Sequence, residues 1–180
     1  MSEATRLVLG AGLGGAAIRR DVEDGDFQSA GTFAIRIDEA LLIELGRNGS
    51  EQYGCKENVA ACRETHNNAY FRLEATESFM VGSKNEGEGE KISGTRILTQ
   101  AGVGFEIHRV WPSYFRIVFQ TTGGVALAPV GEFNNSKWGG YASTAFYMGG
   151  PSVLFGLTLT PYFFTDEVDI SATVGPRIDF

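Results

Sequence analysis

The last residues of the chain, Val168 to Phe180, read VDISATVGPRIDF and alternate without a break. One side holds Val168, Ile170, Ala172, Val174, Pro176, Ile178 and Phe180; the other holds Asp169, Ser171, Thr173, Gly175, Arg177 and Asp179. A period of two is that of a β-strand with one apolar and one polar face. The strand ends on its apolar face, at an aromatic residue. What the rest of the sequence must settle is which solvent that face meets.

The same period returns along the chain. Phe33, Ile35, Ile37, Leu41, Ile43 and Leu45 oppose Ala34, Arg36, Asp38, Leu42 and Glu44. Phe71, Leu73, Phe79 and Val81 oppose Arg72, Glu74, Thr76 and Ser78; Ile97, Val103, Phe105 and Ile107 oppose Arg96, Leu98, Glu106 and His108. Phe115, Ile117, Phe119, Val125 and Leu127 oppose Arg116, Val118, Gln120 and Thr122. A less polarised stretch, Trp138 to Met148, leads into Val153, Phe155, Leu157 and Leu159, opposed by Leu154, Gly156, Thr158 and Thr160. No amphipathic helix pattern is found, so the chain reads as all-β. Gly10-x-Gly12-x-x-Gly15, with Asp38 downstream, fits the dinucleotide fingerprint, but that site needs a crossover helix after the glycines. Asp21 to Ser29 is turn-like and carries no apolar stripe, which favours a strand here.

The polar side mixes charges with glycines at 10, 12, 14, 102, 104, 124, 140 and 156, while the apolar side carries large residues. Glycine suits a crowded interior and bulky apolar groups suit a surface that no protein covers. Small and charged inside, large and apolar outside, is the pattern of a closed transmembrane β-barrel, which leaves no unpaired edge in hydrocarbon. At 180 residues the chain reads as a single domain spanning residues 1–180. Hydrophobic content of 43% includes no apolar run near the ~20 residues a spanning helix needs. The formal charge of −7 argues against a nucleic-acid partner. No signal-peptide pattern precedes Arg6, so the expectation is a cytosolic chain or a mature chain with an added Met1.

At this point the sequence resembles the bacterial outer-membrane β-barrels, in particular small barrels of the OmpA/OmpX type. The resemblance lies in the strand pattern and in Val174, Ile178 and the terminal Phe180, which match the C-terminal aromatic signal of that class. It implies an outer-membrane location, contact with lipid and lipopolysaccharide, and reading of that signal by the assembly machinery. Residues 37–46 resemble the early hairpin of these barrels, with an inward Glu. A closed, antiparallel, up-and-down barrel of eight strands is expected, at about 5–20, 30–46, 68–82, 92–110, 114–133, 138–148, 152–164 and 168–180. That count leaves Gly46 to Asn67 as an awkwardly long connection on the side of the termini. Turns at Asp38–Glu39 and Thr122–Gly124 would make ten strands and would excuse Glu39 from the lipid-facing phase. Glu77 shares that phase and is expected at a membrane rim or beside a bulge.

The inward charges are Arg36, Asp38, Glu44, Arg72, Glu74, Arg96, Glu106, His108, Arg116, Asp169, Arg177 and Asp179. Their near balance of sign suits buried pairs, and an eight-stranded barrel is barely wide enough for its own side chains. A plugged, charge-paired lumen is the expectation; a narrow polar pore, or a proton-sensitive gate at His108, is the alternative. Cys55 and Cys62 read as a disulfide, contributing about 2–3 kcal/mol in the chain-entropy account, as an oxidising compartment allows. A metal site using Cys55, Cys62 and His66 lacks a fourth ligand, and a cytosolic chain would leave two free thiols. No cofactor, catalytic group or metal site is expected: His108 lies near Ser113 and Glu106 in sequence, but no nucleophile motif surrounds them. The acidic runs at 21–26 and 86–90 read as solvated loop tips, since neither has a full calcium-loop spacing. The expected role is structural or surface-interacting.

Overall fold

Alternating residues commit the chain to extended backbone, and extended backbone with an apolar outer face must pair every edge. The computed structural model describes residues 5–21, 27–51, 65–86, 90–111, 115–130, 137–150, 152–163 and 167–180. Side chains are described at 5–17, 33–46, 67–81, 97–111, 115–127, 138–150, 152–163 and 168–180. Eight strands run in order: β1 (Thr5–Asp21), β2 (Phe27–Glu51), β3 (Thr65–Glu86), β4 (Glu90–Val110), β5 (Arg116–Val130), β6 (Lys137–Gly149), β7 (Val153–Tyr162) and β8 (Glu167–Asp179). Each pairs antiparallel with the next, and β8 returns to β1, closing the barrel. At the seam Phe180 N–H donates to Leu7 C=O at 2.8 Å and Leu7 N–H to Phe180 C=O at 3.3 Å.

Following paired residues round the wall from Thr5 leads through Ile43, Phe71, Phe105, Thr121, Thr144, Leu159 and Ile170. The ring returns to β1 at Ala17, a stagger of 12 residues from position 5 to position 17. With strands about 4.8 Å apart and a rise of about 3.3 Å per residue, that stagger tilts eight strands by roughly 46°. Each step to the next strand therefore lifts a register partner by about 1.5 residues away from the end that holds the termini.

Eight strands match the expectation, and the ten-strand variant fails. β2 passes unbroken through Asp38 and Glu39, which pair with Gly10 and Leu9; β5 passes through Thr122 to Gly124. The segment expected as a loop from Gly46 to Asn67 is partly strand. β2 continues to Glu51 and β3 starts at Thr65, with register shifts at 44/46 and 48/51. The connection between them lies at the same end as both termini. The Gly10–Gly15 motif is β1 itself, paired with β2 and followed by no helix, so the dinucleotide reading does not hold.

Candidate functional site

The lumen is where this chain concentrates its chemistry, because alternation sends every second residue inward. Among the described residues 19 buried side chains are polar or charged and 14 are apolar, the reverse of a soluble core. Large apolar groups point out instead: Leu13, Phe33, Val103, Phe105, Phe155 and Val174 all face away from the protein. An apolar exterior that runs right round a molecule far exceeds what a water-exposed surface carries. Outward aromatics stand near the termini (Trp111, Phe115, Phe180), between the ends (Phe105, Phe119, Phe155) and towards the other end (Phe33, Phe79, Trp138, Phe163). An apolar outer band of this kind suits a barrel wall in lipid. The fold is a closed, antiparallel, up-and-down barrel of eight strands with a polar lumen and an apolar exterior.

No protein family matches the chain by sequence, and no curated protein does. Among solved structures it aligns with Ail, the attachment invasion locus protein of Yersinia pestis, at 11% identity and a TM-score of 0.39, covering 97% of both chains. A second Ail structure, in complex with the heparin analogue sucrose octasulfate, aligns at 12% identity and a TM-score of 0.36, covering 97% of this chain and 99% of that one.

Inside the barrel, Arg72 on β3 is completely buried and spends three nitrogens on three carboxylates. Its Nη2 donates to Asp38 on β2 at 2.5 Å, its Nη1 to Glu106 on β4 at 2.6 Å, and its Nε to Glu74 at 2.8 Å. Glu106 also accepts from Arg177 on β8 and bonds His108 Nε2. Arg177 Nε donates to Asp179 at 3.2 Å, and Asp179 accepts from Arg116 on β5. The result is one alternating run, Arg116–Asp179–Arg177–Glu106–Arg72–Asp38, bonded at every link and tying five strands together. Charge-assisted bonds of this kind are the strong ones, and alternation of sign lets each ion meet a counter-ion in place of water.

Neutral groups extend the network. Glu74 accepts from Tyr141 OH at 2.9 Å and Gln120 Nε2 at 2.8 Å, Thr76 donates to Asp38 at 3.3 Å, and Gln100 donates to Tyr162 at 3.1 Å. Glycine makes room for two of the tyrosines. A Cβ at Gly102 would collide with the Tyr141 hydroxyl, and one at Gly156 would come within 2.5 Å of the Tyr147 ring. Further from the termini the lumen changes character. Leu98, Ala126, Tyr141 and Tyr162 form one buried cluster and Ala16, Ala34 and Met80 another. The stagger brings both to about the same height, so seven strands contribute to an apolar layer above the ion run, with the buried Asp169 at that level on β8.

Of the twelve expected lumen charges, the structure joins Asp38, Arg72, Glu74, Glu106, His108, Arg116, Arg177 and Asp179 into this network. Asp169 is buried on the same face, and Arg36 is half-buried near Asp38 and Glu74. Glu44 is half-buried beside the first register shift of β2 and takes no part in the alternating run. Arg96 lies on β4 opposite Met80, and its side chain lies outside the described residues. So do Cys55, Cys62, Ser113 and the side chain of His66. His108 faces the lumen against the Tyr70 ring, centroids 4.9 Å apart, and away from the lipid where a lipid-modifying site would need it. Val174, Ile178 and Phe180 all face outward, about half exposed or more.

Two carboxylates stand in the outward phase. The turn that would excuse Glu39 belongs to the ten-strand alternative and falls with it, and Glu77 pairs with Thr99, where a register shift of β4 against β5 begins. Glu39 faces outward mid-strand, between Leu41 and Ile37 on its own strand and beside Leu9 and Ala75. Glu77 faces outward too, paired with Ile37 and Thr99 in unbroken register. Both stand within the apolar outer band. The network partner that sequence reasoning missed is Tyr141, whereas Gln100 and Tyr162 belong to the polar phase of their strands. Tyr141 was hidden because Trp138–Met148 alternates weakly, while the tyrosines' matching glycines lie on other strands.

Proposed function

We propose that the chain is an integral outer-membrane protein with a closed lumen, acting as a structural or surface-interacting barrel through what it presents at its two ends. The observation that carries this is the bonded run from Arg116 to Asp38, with an apolar layer above it. A lumen crossed by this bonded run leaves no continuous path for a hydrated solute. Its apolar wall is solvated by outer-membrane lipid, including lipopolysaccharide, and its outward Val174, Ile178 and Phe180 are presented for recognition by the assembly machinery. Catalysis is not part of the reading, since the one described histidine is locked to Glu106 inside the wall.

The second reading, a narrow channel, has one observation in its favour. Nε and Nη2 of Arg36 and Nη1 of Arg177 are buried and donate to no group, and both residues line a lumen cavity of about 40 Å³. Planar-bilayer recording separates the two. The plugged reading expects no steps of defined size from the refolded wild type, and openings once Arg72→Ala and Tyr141→Ala remove both layers together. Defined wild-type openings that disappear in Arg36→Gln would select the channel.

A further inference from the structure

We propose, resting on the membrane reading above, that the β1–β8 seam at Pro176 binds ordered water, held between Ala11 C=O and the guanidiniums of Arg36 and Arg177. Among the described side chains, two prolines stand in the wall where a neighbouring strand needs an N–H. Phe180 and Leu7 exchange both backbone bonds, so every second residue back along β8, Pro176 included, turns its backbone towards β1. Pro176 has no N–H to give Ala11 opposite it, and the pairing of β1 with β8 lapses at Ala11 and Gly12 before resuming at Leu13. Phe163 N–H donates to Gly140 C=O at 2.9 Å. By the same count Pro161 turns towards Ala142 on β6, where pairing lapses at Ala142 and Ser143. A backbone carbonyl without a donor is costly where hydrocarbon lies outside.

The two gaps are lined differently. Ser143 and Thr160 stand on the inner face of the Pro161 gap, and their hydroxyls bond each other across it at 3.0 Å. The corresponding residues at the Pro176 gap are Gly12 and Gly175, so bare backbone faces the lumen there. A Cβ at Gly175 would stand 1.8 Å from Ala11 O, which sets that carbonyl over the inner side of the wall. The lumen cavity of about 40 Å³ lies at this spot, with Ala11, Gly12, Gly175 and Pro176 on one side and Arg36 and Arg177 on the other. Nε and Nη2 of Arg36 and Nη1 of Arg177 are buried donors without an acceptor, and Arg177 is only 5% exposed. At roughly 10–15 Å³ each, about three waters fit. Water accepts from the guanidiniums and donates to the carbonyl, answering both needs at once. A chloride ion accepts but cannot donate. It would also add a charge where Arg36, Arg72, Arg116 and Arg177 already stand with Asp38, Glu74, Glu106 and Asp179.

The test is magnetic resonance on the full chain, isotope-labelled and refolded into phosphatidylcholine nanodiscs. Water-to-amide Overhauser peaks of the sign given by long-lived water are expected at Gly12 and Gly175. None is expected at Leu159, which pairs on both sides with Thr144 and Ile170. Pro176→Ala gives Ala11 a strand donor, and Arg36→Met removes two of the three free guanidinium donors. Each should lower both peaks about tenfold, the worth of one hydrogen bond. Absent peaks in the folded wild type, or peaks unchanged in either variant, would overturn the proposal. So would peaks that shift when chloride is exchanged for gluconate at equal ionic strength, since that marks an anion in place of water. Heat-modifiable gel migration reads folding separately. A chain without it sinks the membrane reading, whereas a heat-modifiable chain without the peaks sinks this site alone.

Discussion

Asp38 and Glu39 are consecutive acidic residues of β2, and they meet opposite surroundings. Asp38 turns inward to a guanidinium at 2.5 Å and a threonine hydroxyl at 3.3 Å. Glu39 turns outward among Leu9, Ile37 and Leu41, with no ion pair on its own barrel among the described residues. One side of the wall is a buried electrolyte that only pairing makes tolerable; the other is an apolar solvent that penalises any charge. The difference is made by a half-turn of the backbone, since successive side chains of a strand alternate between faces.

The comparison breaks hardest at Arg72. Arg72→Ala leaves Asp38, Glu74 and Glu106 without their shared cation, and the expected loss is about 3–5 kcal/mol of unfolding free energy in urea titrations from lipid vesicles. A variant as stable as the wild type would show that the ion run holds nothing together. Gly102→Val comes next. Its side chain displaces the Tyr141 hydroxyl from Glu74 and is expected to cost about 2–3 kcal/mol. Combining it with Tyr141→Phe removes the hydroxyl that the new side chain meets and should recover part of the loss, the approach to the Gly123 carbonyl remaining; no recovery at all would place the cost elsewhere.

The two neighbours themselves sharpen the contrast. Asp38→Asn is expected to destabilise by about 2 kcal/mol, since a neutral amide cannot balance Arg72. Glu39→Leu is expected to stabilise the monomer by about 1–2 kcal/mol. The pair of titrations must give opposite signs, and equal signs would undo the assignment of faces. The smallest effect is expected at the seam. Phe180→Ala should cost about 1 kcal/mol at equilibrium, because its backbone bonds to Leu7 survive, while yield in the outer membrane falls much further. A drop in stability as large as the drop in yield would argue against a separate assembly role.

Much of this was legible beforehand. The alternation in Val168–Phe180 and in residues 33–45 names both faces, and the glycines at 102 and 156 mark the crowded one. The weakly alternating Trp138–Met148 hid Tyr141, a full member of the site. Glu39 kept a ten-strand alternative open, because a carboxylate in an apolar phase suggests a turn when read alone. Only the unbroken pairing of β2 with β1 and β3 closes it.

By itself the sequence determined the extended backbone and which solvent each face meets, because a period of two is a local property of neighbouring residues; eight strands against ten was settled by the pairing of β2 and β5. The tertiary structure alone decided which charges meet. Arg72 and Glu106 are 34 residues apart in the chain and Arg177 and Glu106 are 71 apart. What joins them is the 12-residue stagger of the closed wall, a property of the ring that no stretch of sequence carries.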